Sequence, residues 1–337
     1  MKAVIIACMM FYLLVGTISV AGNFVVLFVV YKSKQLRHSQ YVYKCSIAIS
    51  DIICGFSISA QYMLYFLWVL NVNEVILLKD SKSTKPIVTK EKNNITNYTY
   101  EIQEIALTTN FYSEIYNWFS TKINFVVYYV TPITLFVSFV SLVFASIDRY
   151  IALRFPFRYR QINSIKIAKL VSVFVWFLSA IFQTVTSFLF YHHSYPSHLL
   201  QPTIFSVSKI SLNQHITATI LIILFFLLWV LTFLTLCSLY KSYKRSVALR
   251  KKAKNIFSQE KQMAFVLISM VVGFSFSLAP TIYFHICSYF CKMEFSQRSL
   301  FVSIALLATN SVWNFIIYNI SNKTFRSALI KVFFEYK

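Results

Sequence analysis

Acids are scarce in this chain, and two of them stand where a membrane-like environment demands a reason for them. Asp51 lies inside the run CSIAISDIICGF with no base near it in sequence. A carboxylate among apolar residues is costly unless it is paired, so it needs partners from elsewhere. Asn23, Ser138, Asn310, Ser311 and Asn314, all within other apolar runs, are the candidates. A carboxylate ringed by neutral oxygens suits a small hard cation, sodium by charge and site polarity. The same groups could instead hydrogen-bond one another and fix packing between helices. Residue types alone leave both roles open.

The second feature is SIDRYIALRFPFRYR, residues 146–160, where Asp148, Arg149 and Tyr150 follow directly on an apolar run. An adjacent acid and base at such a boundary can neutralise one another, and the stretch beyond supplies Phe157 and several arginines. No Cys/His spacing resembles a zinc site and no Gly-rich loop is present to cradle phosphate, so catalytic chemistry is not expected.

The elements that must position these groups are apolar helices. The 337 residues are 58% hydrophobic and 13% charged, which is not the composition of an ordinary soluble domain. Seven segments are long and apolar enough to cross a ~30 Å hydrocarbon core. They lie near residues 3–31, 41–70, 124–153, 166–190, 214–240, 261–290 and 299–318. The predicted fold is an all-α membrane protein, a seven-helix bundle over residues 1–321. A short amphipathic eighth helix and tail occupy 322–337, with Phe325, Leu329, Val332 and Phe333 near helical spacing and Lys323, Arg326 and Lys331 between them.

The net charge of +21 reads as topology rather than nucleic-acid binding. With the N-terminus outside, most Lys and Arg fall on the cytoplasmic side, as the positive-inside rule requires, and that face would attract anionic lipid. Met1-Lys2, the apolar run and Ser19-Val20-Ala21 imitate a secretory signal, but apolar character continues to Val30, so a retained span is expected. A reading frame starting too late would give the same appearance. Residues 71–123 read as a long polar outer loop with sequons at Asn94 and Asn97; two further sequons, at Asn319 and Asn322, face the cytosol and are expected to stay unused. Cys8, Cys45, Cys54 and Cys237 read as packing residues, and Cys287 and Cys291, at the outer end of the sixth helix, as two free thiols in a continuous helix or as a local disulfide where that helix has unwound.

Gly22-Asn23, the SIAISD run ending at Asp51, Asp148-Arg149-Tyr150, Trp176 and Pro280 occur in seven-helix order. Together they resemble a rhodopsin-like G-protein-coupled receptor over nearly the whole chain except the insertion. The resemblance implies a multi-pass plasma-membrane receptor that carries an extracellular ligand's signal to a heterotrimeric G protein. It implies an allosteric sodium pocket, with sodium or a proton at Asp51, built from Asp51, Ser138, Asn310, Ser311 and Asn314, with Asn23 beside them. It implies that Arg149 pairs with Asp148 and with Glu260 at the foot of the sixth helix and releases Glu260 as that helix swings outward. Tyr240 and Tyr318 would meet inside the opened bundle, Phe274 would repack, and Phe157 would dock on the G protein.

Several positions depart from the family's pattern. Asn124 stands where a cysteine would tie the third helix to the second outer loop, and residues 191–213 hold no cysteine. Leu278 replaces the sixth-helix tryptophan, Thr232 the fifth-helix proline and Phe315 the seventh-helix proline, which is expected to remove that kink. Thr131 in place of an acid excludes an amine salt bridge there, and Ala308 in place of a lysine excludes covalent retinal. Tyr128, Thr131, Tyr283 and His285 suit a small neutral, aromatic or lipid-like ligand, and a peptide engaging the insertion is a further option. The alternatives are a divergent receptor with weak or constitutive signalling, or a seven-helix transporter, which would need inverted repeats or broken helices.

Overall fold

The computed structural model describes residues 2–83, 129–161, 164–194, 212–247, 251–290 and 297–334. All regular structure among them is helical: α1 (Lys2–Lys32), a 3-10 turn (Lys34–Leu36), α2 (Ser39–Ser83), α3 (Tyr129–Arg154), α4 (Pro156–Gln161), α5 (Ser164–Ser194), α6 (Leu212–Val247), α7 (Lys251–Phe290), α8 (Gln297–Ala308), α9 (Asn310–Ser321) and α10 (Lys323–Phe334). Six helices are individually long and apolar enough to cross a membrane, within α1, α2, α3, α5, α6 and α7. The seventh crossing is made by α8 and α9 in series; residues 297–321 together match the ~20 residues that a bilayer core requires.

Two expectations are corrected. The polar loop after the second span does not begin at residue 71, because α2 runs to Ser83. Between Gly55 and Pro86 the sequence has no glycine or proline. Nothing therefore interrupts the i→i−4 ladder until the approach to Pro86, where the preceding residue disfavours helix. The seventh span is also not straight. Although Phe315 restores a backbone donor where a proline was expected, the helix breaks one and a half turns earlier, at Thr309. Thr309 has φ −67° and ψ −14°. Its N–H is shared between Ala305 O (3.3 Å) and Leu306 O (3.1 Å), and its Oγ1 donates to Leu306 O at 2.6 Å. This side-chain bond back to the preceding turn competes with the regular ladder and tightens it locally.

The helices close into a ring: α1 packs on α2, α2 on α5, α5 on α6, α6 on α7, α7 on α8 and α9, and α9 back on α1. Helix α3 occupies the middle. Its Phe136 stacks on Phe182 of α5 and its Phe139 on Phe274 of α7, at centroid distances of 5.3 and 4.7 Å. More than half of its span is buried, whereas less than a fifth of that in α5 is. The exposed positions of α5 include Leu170, Val173, Phe174, Phe177, Ile181, Val185 and Phe188, an apolar stripe at helical spacing that suits lipid. The polar groups lie inside instead: Asn23, Ser50, Asp51, Ser138, Ser141 and Asn314 are all buried. Lipid outside and hydrogen-bonded polar groups inside is the arrangement a bilayer selects.

Small residues set the closest approach. A Cβ on Gly16 would lie 2.7 Å from the Gly55 carbonyl oxygen, so α1 and α2 cross backbone to backbone. A Cβ on Gly22 would lie 2.7 Å from Cγ of Phe315, so the ring that stands in the proline's place fills the notch left by this glycine. At the inner end α10 turns along the bundle, burying Phe325 and Ala328 and setting Phe333 against Phe28 of α1, 5.8 Å between centroids. This agrees with the amphipathic pattern read for residues 322–334.

Candidate functional site

The polar pocket forms where α1, α2, α3 and α9 meet. Asp51 Oδ2 accepts from Asn314 Nδ2 at 2.6 Å, and Oδ1 accepts from Ser138 Oγ at 3.2 Å. The Ser311 side chain also hydrogen-bonds to this carboxylate. Asn23 donates from one Nδ2 to Ser19 O and to Ser311 O, both at 2.9 Å, which ties α1 to α9. Its Oδ1 is buried and has no hydrogen-bond partner among the described residues. Asn310 is buried at the break between α8 and α9. Hydrogen bonds thus link Asn23, Ser311, Asp51, Ser138 and Asn314, whereas none joins Asn310 to them among the described residues, and an orphaned acceptor in a region that also holds a buried carboxylate fits a small cation or a water molecule. Ser19, which donates to the Asp51 backbone carbonyl at 2.9 Å, and Ser50, hydrogen-bonded to Ser138, belong to the pocket and were not read from the sequence as pocket residues. Serines are too common in such runs to signal a site without the fold.

A second site is built on the C-terminal end of α3. Asp148 accepts from Tyr159 of α4 at 3.1 Å to both carboxylate oxygens, from Ser39 of α2 at 3.1 Å, and more loosely from Gln40 at 3.4 Å. Arg149 is only 3% exposed and meets Asp148 at 3.4 Å, while its Nη1 points to the Met263 sulfur of α7 at 3.7 Å. The Glu260 side chain lies outside the described residues, so the expected Arg149–Glu260 pair does too. Tyr150 continues α3 half-buried, and Phe157 on α4 is 83% exposed, free to contact a partner. Trp176 of α5 donates to Ser46 of α2 at 3.2 Å, and Ser46 is bonded to Ser141 of α3, pinning three helices at mid-height.

The residues expected to move are separated here. Tyr318 is buried and its ring lies 6.0 Å from that of Phe325 of α10, while Tyr240 is 60% exposed on α6 with the Lys244 ammonium 5.0 Å above its ring. No contact joins the two tyrosines among the described residues. Phe274 is buried against Phe139, and Leu278 one turn above it is equally enclosed. Pro280 sits within α7 without ending it. Ser277, beside Leu278, is 3.3 Å from Thr309, so α7 touches the seventh span at its break.

The outer end is less completely defined. Thr131 and His285 are half-buried, but Tyr283 is 57% exposed and does not wall a closed cavity. Tyr128, Asn94, Asn97, Asn124 and Cys291 lie outside the described residues. Cys45, Cys54, Cys237 and Cys287 are free thiols. Asn322 at the inner end is buried, donating to the Tyr41 hydroxyl at 3.0 Å and accepting from the Phe325 N–H at 3.1 Å as the cap of α10.

A ring of membrane-crossing helices, apolar outside, with a polar pocket at its centre and a buried arginine near one end, is the architecture of a seven-helix membrane protein. The family model of the 7 transmembrane receptor (rhodopsin family) matches residues 103–318, and the chain belongs to that family. It is a multi-pass membrane protein and a signalling receptor of the G-protein-coupled class. No individual curated protein matches the chain. Asn23 and Asp51 precede the matched residues, and their place in the pocket is carried by their bonds to Ser311, Ser138 and Asn314, which lie within them.

Proposed function

We propose that the protein is a plasma-membrane receptor, with its N-terminus outside, that passes an extracellular ligand's signal to a heterotrimeric G protein by outward movement of α7. The observation that carries this reading is the buried Arg149, held by Asp148 on its own helix and touching Met263 on α7. In the resting bundle the guanidinium bridges α3 to the foot of α7. As α7 swings away, Arg149 is uncovered in the inner mouth, beside the exposed Phe157, for the partner to engage. Glu260, within α7 and three residues before Met263, is the acid that would complete the resting pair.

Sodium or a proton at Asp51 would hold α2, α3 and α9 in the resting arrangement. Asp51 and Asn23 supply the oxygens for it, and the ion would neutralise the buried carboxylate when bound. The ligand pocket lies at the outer half around Thr131 and His285 and suits a small neutral or aromatic ligand. Ligand binding selects the opened arrangement from a pre-existing equilibrium.

The test is Arg149→Ala in cells co-expressing G proteins of each class. Nucleotide exchange is lost while the receptor stays at the surface; full retained exchange overturns the reading. Leu278 in the tryptophan's place supports a second reading, a receptor whose signalling is largely independent of ligand. Exchange that is high without ligand and unaltered across a ligand library would select it.

A further inference from the structure

Lys44 lies inside the second span and is only 4% exposed. Its Nζ has no hydrogen-bond partner among the described residues. What it has is two aromatic faces: the ammonium sits 4.5 Å from the ring centroid of Tyr41, one turn before it on α2, and 4.9 Å from that of Tyr318 on α9. Its charged neighbour Arg149 acts on it as a like charge. Asp148, the acid of this region among the described residues, is already engaged by Tyr159, Ser39, Gln40 and Arg149. Ring faces offset part of what an ammonium loses on leaving water, but a desolvated charge without a counter-ion remains unfavourable.

The position of Lys44 gives this cost a use. Tyr41 belongs to its own helix and stays with it, whereas Tyr318 is on α9, which packs against the moving α7, and must leave Lys44 if it is to meet Tyr240 in the opened bundle. We propose that Lys44 is a buried cation reserved for the partner: once Tyr318 leaves, its ammonium receives a carboxylate of the G-protein segment that enters the inner mouth. The inference rests on the G-protein reading above and adds a named contact to it. Lys44 would thereby favour opening, since the charge is hydrated and then paired only in the open state. It would also place a second cation beside Arg149, which selects an acidic segment over a basic one.

The experiment uses the full-length receptor in nanodiscs of neutral lipid, titrated with nucleotide-free heterotrimeric G protein at several salt concentrations. Lys44→Met weakens binding by about tenfold, the usual weight of one close interfacial charge pair, and flattens its salt dependence. Lys44→Arg keeps the charge and holds affinity within about threefold of the wild type. The melting temperature of Lys44→Met is equal to or above that of the wild type, because an apolar side chain of similar volume replaces a buried charge. Binding by Lys44→Met equal to the wild type at every salt concentration overturns the role of Lys44 and leaves the receptor reading intact. A fall in melting temperature with unchanged affinity would make Lys44 a packing residue, which also overturns it. If the wild type binds no G protein, the reading beneath falls and this inference with it.

Discussion

Asn314 Nδ2 donates to Asp51 Oδ2 at 2.6 Å across 263 positions of sequence, and this bond joins the second span to the seventh. Asp51 is 2% exposed and Asn314 7%, so bulk water solvates neither partner. Asn314→Ala leaves the carboxylate with fewer donors and should destabilise the receptor by roughly 1–3 kcal/mol. Thermal unfolding in nanodiscs measures it. In an Asp51→Asn background the same truncation should cost less, because no charge is left uncompensated; equal costs in the two backgrounds would show that the pair does not interact.

Sodium provides an independent probe of the same pocket. Raising sodium against a choline control should raise the melting temperature of the wild type and leave Asp51→Asn unmoved. A ligand that binds only the folded bundle stabilises it by mass action, so the shift should grow with concentration. Identical behaviour of the two proteins would remove the ion from the pocket.

Gly22→Ala introduces a Cβ at 2.7 Å from Cγ of Phe315. Overpacking of this kind costs about 1–3 kcal/mol, and the double variant Gly22→Ala with Phe315→Leu should recover part of it. Lack of any recovery would mean that α1 meets α9 elsewhere.

Tyr159→Phe removes the hydroxyl that reaches both oxygens of Asp148. A buried carboxylate that loses a donor is weakened by roughly 1–3 kcal/mol, which should loosen the grip of α4 on α3. Under the proposed mechanism Asp148 is then drawn more fully onto Arg149, and ligand-independent nucleotide exchange falls. Increased exchange would instead assign the tyrosine to holding the resting state.

Thr309→Ala deletes the side-chain bond to Leu306 O and the contact with Ser277. The seventh span should straighten, with a stability change of about 0.5–1.5 kcal/mol for one hydrogen bond. Spin labels placed at either end of residues 297–321 would read a longer end-to-end distance; an unchanged distance would locate the cause of the break in packing.

Much of the bundle was legible in the chain. Long apolar runs must become helices in lipid, because no other open structure satisfies the backbone there, and the seven spans follow from that constraint alone. The helix boundaries were less so. Apolar runs mark where lipid lies and do not mark where hydrogen bonding stops, so α2 continued past residue 70 to Ser83. The break at Thr309 escaped because a threonine is an unremarkable helix residue until its hydroxyl turns back on Leu306.

The sequence by itself determined which residues could not be left alone: Asp51 and Arg149 carry charges that an apolar surrounding penalises, so each had to find partners. Only the tertiary structure decided which partners. The bond from Asp51 to Asn314, the seating of Phe315 on Gly22 and the hold of Tyr159 on Asp148 depend on distances across the ring of helices. Lys44 shows the division most clearly. Its place seven residues before Asp51 put it on the same face of α2 and was readable from the chain. That its ammonium has no hydrogen-bond partner among the described residues was not, because such a lack is a property of everything packed around it.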